Sequence, residues 1–204
     1  MTDKPSSTTS VSQAGALTPR PLTGHGVCQP DAVNDDASLS AALERLRTGQ
    51  LHSFREPLDP AIPRRTAGCY TIWDDSGRFI YAGMAGGGML TQEAIRAVQE
   101  NSVVKVGGLR DRLDAHRSGR RSGDQFCVYV FDRLVLPSLS PEQIGQAANG
   151  FRRLDEDVKA FVHEHLSYRW ASVPDGQAAY ALERVLLTAG LGGLLPLLNA
   201  GRVG

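Results

Sequence analysis

The clearest pattern of hydrophobic and polar positions in this 204-residue chain lies in residues 68–83, where two runs of apolar, β-branched and aromatic residues flank a polar turn. The runs predict the two strands of a β-hairpin, because such residues favour strands and the turn ends in Gly77. If the turn is centred on Asp75 and Ser76, Tyr70 lies directly opposite Tyr81 on one face of the sheet. Aromatic cross-strand pairs commonly stabilise sheets, so the hairpin alone leaves the role of the two phenols open.

Helical spacing follows further along the chain. Leu109 and Leu113 lie one turn apart in a predicted helix over residues 109–118, which Gly119 would end. Arg112 and His116 are also one turn apart and would project together from that helix. Two further helices are predicted over residues 90–99 and 151–166, and another begins at Ser140-Pro141. An earlier helix over 38–47 is capped by Ser38, and a last helix is capped by Asp175 and ends near Ala189. Further strands are predicted over 125–132 and 167–173.

In the last predicted helix, Glu183 borders an apolar stripe that contains Leu182 and Leu186. A carboxylate at such a border needs a cationic partner, because an unpaired charge there is costly. The partner can be an arginine or a bound metal ion, and the position in the helix does not choose between them.

Charge balance limits the ways in which this chain could hold a polyanion. Lys plus Arg equals Asp plus Glu, at 22 each, which argues against a protein that coats nucleic acid with bulk positive charge. The local balance differs, because residues 105–121 are predominantly basic and offer a face for phosphates. We expect the nucleic-acid contacts in this stretch to come from Lys105, Arg110, Arg117, Arg120 and Arg121.

Composition also divides the chain into segments. Residues 1–36 are small and polar, and we predict a disordered tail, followed by a short helix and a Pro-rich linker over 37–63 and a folded domain over 64–204. The chain has no signal-peptide pattern and no apolar run of about 18 residues, so we expect a cytoplasmic protein without membrane contact. The three cysteines, Cys28, Cys69 and Cys127, lack metal-site spacing and are expected to be free thiols.

Two further motifs invite interpretations that their details do not favour. Gly86-Gly87-Gly88 could cradle a phosphate, but no Lys-Ser/Thr pair follows it. The run His163-Glu164-His165 could bind a metal, but residues two apart on a helix point away from each other.

In their order along the chain, these residues resemble the GIY-YIG nuclease superfamily over about residues 66–200. The name-giving triplets correspond to Gly68-Cys69-Tyr70 and Tyr81-Ala82-Gly83, each of which departs from the family pattern at its middle residue. The Arg112 and His116 helix, then Glu183, then Asn199 follow in the family's order. The residues from 84 to 108 look like an insertion.

The resemblance implies an α/β (α+β) fold, in which a small central antiparallel β-sheet of three to four strands is flanked by helices. It also implies a divalent-metal-dependent endonuclease that hydrolyses phosphodiester bonds in DNA, of a restriction, repair or mobile-element type. The expected partner is double-stranded DNA, and either a homodimer or a specificity-giving protein partner would set the target. The alternatives are a nucleic-acid-binding module that kept the fold without turnover, and a partner-binding regulator.

By resemblance, Tyr70 and Tyr81 flank the scissile phosphate, and one of them helps to deprotonate the attacking water. Nearby cations and a metal ion would have to lower the pKa of that phenol. Arg112 would stabilise the developing negative charge, and His116 would assist proton transfer or hold a tyrosine. Glu183 would bind one Mg²⁺ or Mn²⁺ ion, and Asn199 would position neighbouring groups.

Overall fold

A computed structural model describes residues 32–88 and 107–199 of the chain. Within those residues, four antiparallel strands form one sheet in the order β1-β4-β2-β3. This confirms the expected mixed α/β class with a small antiparallel sheet. The strands are β1 (His52–Ser53), β2 (Gly68–Asp74), β3 (Phe79–Ala85) and β4 (Leu166–Ser172).

The helices pack on the sheet and form two buried clusters with it. One cluster joins Tyr70 and Tyr81 to α2, α3 and α5, and the other joins Cys69 and Ala82 to α1 and α6. Because successive residues of a strand point to opposite faces, the sheet separates the two clusters. The helices are α1 (Ala32–Thr48), α2 (Leu109–Arg117), α3 (Gln125–Val130), α4 (Pro141–Ala148), α5 (Leu154–His165) and α6 (Gly176–Thr188), and a π-helical turn (Phe131–Val135) follows α3.

The hairpin forms as predicted, but its register is different. Tyr70 pairs with Gly83, and Tyr81 pairs with Ile72. The turn is longer than a two-residue loop, because Asp74 N donates to the Arg78 carbonyl at 3.1 Å. Up to Ile72 the register therefore shifts by two residues, which leaves both tyrosines on their predicted face. The rings of Tyr70 and Tyr81 share that face with centroids 6.3 Å apart. A bulge after Ile72 then pairs Phe79 with Trp73, so Phe79 lies on the opposite face.

The glycines of the two triplets allow close packing on both sides of β2. A Cβ added at Gly83 would meet the hydroxyl of Tyr70, whose ring lies across that position. A Cβ at Gly68 would meet the carbonyl oxygen of Ala171 on β4. Each glycine therefore makes room for a neighbouring group.

The strand predicted over residues 125–132 is wrong, because this segment is α3 followed by the π-helical turn. The Asp124 side chain caps α3 by accepting from Phe126 N at 3.1 Å. Phe126, Cys127 and Val130 are all buried, as one face of a short helix requires. A short run of apolar residues does not distinguish a buried strand from a buried helix by its periodicity.

The first helix begins earlier than predicted. It starts at Ala32, so Ser38 lies inside α1 instead of capping it, while the end at Thr48 agrees with the predicted stop at Gly49. The following stretch, predicted as a linker, contributes Phe54, Leu58 and Ile62 to the same core as Tyr70.

Other local signals are confirmed. Ser140 and Gln143 form a reciprocal capping box, with Ser140 N donating to Gln143 Oε1 at 2.8 Å and Gln143 N donating to Ser140 Oγ at 3.2 Å. Asp175 caps α6 by accepting from Ala178 N at 2.8 Å. Cys69 and Cys127 are buried free thiols. Among the helices in the described part of the chain, none is long and apolar enough to cross a membrane. Cys28 and the helix predicted over 90–99 lie outside the described residues.

Replacing Gly83 with Ala should destabilise the fold, because the new methyl group meets the Tyr70 hydroxyl. We expect the free energy of unfolding to fall by about 2 kcal/mol, as for overpacked cores, in a urea titration. Gly87→Ala is the matched control, because nothing lies within 4 Å of a Cβ at Gly87. Equal stability of the two variants would show that Tyr70 does not depend on the space at Gly83.

Candidate active site

The structure brings three of the predicted site residues into one buried cluster. Tyr70 comes from β2, Tyr81 from β3 and His116 from α2, and their rings lie within 5.2 to 6.3 Å of one another by centroid. Tyr70 and His116 are each 1% exposed, and Tyr81 is 6% exposed. Buried Leu109 and Leu113 hold α2 against the sheet, as their helical spacing predicted. This packing turns His116 towards Tyr70.

A hydrogen bond of 2.6 Å joins the Tyr70 hydroxyl to His116 Nε2. On the other side of the imidazole, His116 Nδ1 lies 2.6 Å from Asp124 Oδ2. The result is a buried chain of three side chains that we call the relay: Tyr70, His116 and Asp124.

Asp124 is the residue of the relay that the sequence did not suggest. It lies at the start of α3, where its carboxylate also accepts a hydrogen bond from Phe126 N. An Asp directly before a helix is a common N-cap signal. That signal was hidden because the segment after it was predicted as a strand.

The hydrogen bonds select one neutral form of His116. A carboxylate accepts hydrogen bonds, so His116 Nδ1 carries the proton that Asp124 accepts, and Nε2 is left to accept the Tyr70 O–H. Burial lowers the pKa of His116 below 6.5, although Asp124 opposes this shift. Burial by itself would raise the pKa of Asp124, but its hydrogen bonds with His116, Cys127 and Phe126 N bring it below 3.8. The relay therefore holds a neutral imidazole and an ionised carboxylate at neutral pH.

The phenol of Tyr70 remains protonated. Burial raises the pKa of Tyr70 well above 10, the neighbouring Tyr81 raises it further, and Arg112 counteracts only part of the shift. From the sequence, cations are expected to help lower the pKa of a tyrosine, but for Tyr70 the loss of solvation outweighs their effect on the pKa. Tyr70 is thus a hydrogen-bond donor to His116 in this structure.

Arg112 lies on the exposed side of α2, beside a groove of about 590 Å³. The groove is also lined by the glycine stretch after β3 and by Asp111 and Ala115. Arg112 influences the pKa of both Tyr70 and His116, so its charge acts on the buried relay. In the glycine stretch, Gly86 has a φ of 87° and packs against Ala67, where a Cβ would not fit. Backbone packing therefore accounts for the glycine at position 86.

Glu183 is half-buried on α6, and its charge contributes to raising the pKa values of Tyr70 and Cys69. The described residues contain no group of three or more His, Cys, Asp or Glu side chains that could hold a metal ion. Mg²⁺ commonly uses one or two carboxylates and takes its other ligands from substrate phosphates and water. A single carboxylate at Glu183 fits that kind of site, which is completed only when substrate is present.

Asn199 has a defined contact that the sequence did not reveal. Its Oδ1 accepts from Ala82 N at 2.9 Å, and its Nδ2 donates to the Ala82 carbonyl at 3.0 Å. Leu197 and Leu198 also donate backbone hydrogen bonds to β3. Asn199 therefore extends the pairing along the outer edge of β3 and fixes the strand that carries Tyr81.

The predicted basic residues divide into different environments. Arg110 donates to the Asp59 carbonyl at 3.1 Å, and Arg117 donates to the Phe54 carbonyl at 3.0 Å, so both hold the segment before β2. Arg121 pairs with Asp155 at 2.8 Å, whereas Arg120 is exposed. Lys105 lies outside the described residues.

The histidines of α5 contact other parts of the protein. His163 Nε2 lies 3.0 Å from the Arg117 carbonyl, and His165 Nδ1 lies 3.1 Å from Asp75 Oδ2. The two side chains thus have separate partners, as their helical spacing predicted.

No family model, curated protein or solved structure matches this chain.

The relay should make stability depend on pH. Because the pKa of His116 is lowered on folding, the unfolded chain binds more protons below about pH 6.5, and folding is disfavoured as the pH falls. The lowered pKa of Asp124 acts in the same direction at more acidic pH. Urea titrations between about pH 7.5 and 5.5 should show a loss of up to about 1.4 kcal/mol per pH unit from His116.

Two variants separate this effect from other titrations. His116→Gln should flatten the pH dependence, whereas His165→Gln, at an exposed histidine, should retain the wild-type slope. Equal slopes in wild type and His116→Gln would contradict a neutral, buried His116.

Proposed function

We propose that this protein is a divalent-metal-dependent endonuclease that hydrolyses phosphodiester bonds in double-stranded DNA. The observation that carries the proposal is the relay of Tyr70, His116 and Asp124, which has Tyr81 beside it and Arg112 at the adjacent groove. The order of Tyr70, Tyr81, Arg112 and His116 along the chain is that of the GIY-YIG nucleases, which the sequence resembles; Asp124 is not part of that resemblance.

The relay offers a route for the proton of the attacking water that does not require a phenolate at rest. Tyr70 Oη would accept a proton from water while its own proton passes to His116 Nε2. Asp124 would stabilise the resulting imidazolium through its hydrogen bond to Nδ1. His116 would therefore be the base and Tyr70 the group that contacts the water, which is compatible with a raised pKa at Tyr70.

The phosphate would lie between the groove of Arg112 and the two tyrosines. A guanidinium can donate two parallel hydrogen bonds to phosphate oxygens. Its charge stabilises the transition state most strongly at the atoms where negative charge develops. Tyr81 would contact the same phosphate from β3. The 6.3 Å between the tyrosine ring centroids makes it feasible for both phenols to reach one phosphate group.

Glu183 would hold one Mg²⁺ or Mn²⁺ ion. When bound, such an ion polarises the phosphate and stabilises the leaving oxygen. The side chain of Glu183 is half-buried, which limits competition from water for its carboxylate.

The burial of the relay favours one alternative. Since Tyr70 and His116 are 1% exposed, their hydrogen bond also fastens β2 to α2, and this would be useful in a nucleic-acid-binding module without turnover. The two functions differ in one respect: the endonuclease needs Glu183 as a metal ligand, whereas the binding module does not.

A plasmid-nicking assay with and without Mg²⁺ tests the proposal. Wild type should nick supercoiled DNA only with the metal, and Glu183→Gln should abolish nicking while leaving the melting temperature nearly unchanged, because it removes a charge without changing side-chain size. Glu164→Gln, at an exposed carboxylate on α5, is the matched control and should cut like wild type.

Unaltered Mg²⁺-dependent nicking by Glu183→Gln would contradict the metal role of this residue. Duplex binding without any nicking by wild type would favour the binding module.

A further inference from the structure

A cleft lies between the end of α2 and the start of α5. It has a volume of about 690 Å³, and three acidic and five cationic side chains line it. We call it the basic cleft, and its cationic residues are Arg117, Arg120, Arg121, Arg153 and Lys159. Arg153 and Lys159 come from a part of the sequence that we did not predict to contact nucleic acid.

The walls of the basic cleft are held together by specific packing. Gly119, with a φ of 71°, lies so close to Lys159 that a Cβ would meet its backbone at 2.5 Å. The Arg117 carbonyl contacts His163, which joins α2 to α5 again. Arg121 pairs with Asp155, and its guanidinium lies 4.6 Å from the centre of the Phe131 ring. The cations are therefore attached to a fixed framework.

The charge of the basic cleft favours an anion. Arg121 already neutralises Asp155, whereas Arg120, Arg153 and Lys159 are exposed. The five cations exceed the three carboxylates of the lining by two, and a bound phosphate group would neutralise that excess.

The basic cleft is connected to the candidate active site along α2. A groove of about 450 Å³ shares Asp111 and Ala115 with the groove of Arg112, and it shares Ser118 and Arg120 with the basic cleft. From Arg112 to the end of α2 at Arg117 the rise is about 7.5 Å at 1.5 Å per residue, and Arg120 lies beyond that end. That rise corresponds to about two nucleotides of one DNA strand, so the basic cleft lies at least about two nucleotides from Arg112.

We propose that the basic cleft binds a backbone phosphate of the nucleic acid at least about two nucleotides from the phosphate at Arg112. This assignment rests on the proposed function, because it takes the ligand to be the nucleic acid that the active site would cut. It gives this electrically neutral chain a local site for positioning a polyanion, and Arg153 and Lys159 are the residues that it adds.

Binding to a fluorescein-labelled duplex, measured by anisotropy in Ca²⁺ at several salt concentrations, tests the inference without requiring cleavage. The double variant Arg153→Glu/Lys159→Glu should bind at least about tenfold more weakly, and its slope against log salt should be flatter by about one unit, because one phosphate contact is lost. The double variant Arg153→Gln/Lys159→Gln should also bind the duplex more weakly, by a smaller factor. It replaces the charge-reversal variant if that variant does not fold. The matched control, Arg47→Glu/Arg133→Glu, reverses two exposed cations outside the cleft.

The outcomes separate this inference from the proposed function. Loss of duplex affinity in the cleft variants supports the inference even if wild type does not nick DNA. Cleft variants that bind and nick like the control would overturn the inference and leave the nuclease proposal intact. If calorimetry shows a wild-type site for inorganic pyrophosphate that the cleft variants lose, while duplex affinity is unchanged, the cleft takes a free phosphate ligand and the backbone assignment is overturned.

Discussion

The hydrogen bonds of His116 are the interaction on which the rest of the candidate site depends. They join β2 through Tyr70 to α2, and α2 to the start of α3 through Asp124. All three groups are buried, and a buried polar group that loses its partner costs about 1 to 3 kcal/mol. The same contacts that would move a proton therefore also fix the positions of three elements.

Burial determines what chemistry this arrangement could perform. It raises the pKa of Tyr70, so the phenol is a poor base by itself, and it lowers the pKa of His116, so the imidazole is neutral and able to accept a proton. The physical consequence is a division of roles between two adjacent groups. In the proposed reaction Tyr70 would contact the attacking water, while His116 would hold the proton beside Asp124.

Much of this could be predicted from local sequence. The alternation in β2 and β3 placed both tyrosines on one face, and a two-residue error in register did not matter because strands repeat every two residues. The caps at Ser140 and Asp175 are likewise local signals. The features that the sequence did not predict depend on contacts between distant parts of the chain. Asp124 reaches His116 only because residues 125–130 form a helix. Arg153 and Lys159 reach the basic cleft only because α5 packs against Gly119.

The protonation of the His116 ring is the most direct test of the central claim, which is that Tyr70, His116 and Asp124 form a relay. Nitrogen-15 NMR of the 204-residue protein at neutral pH can assign the proton to Nδ1 or Nε2. The account predicts a neutral ring with the proton on Nδ1 and a Tyr70 hydroxyl that donates to Nε2. A neutral ring with the proton on Nε2, or a ring protonated on both nitrogens, would contradict it.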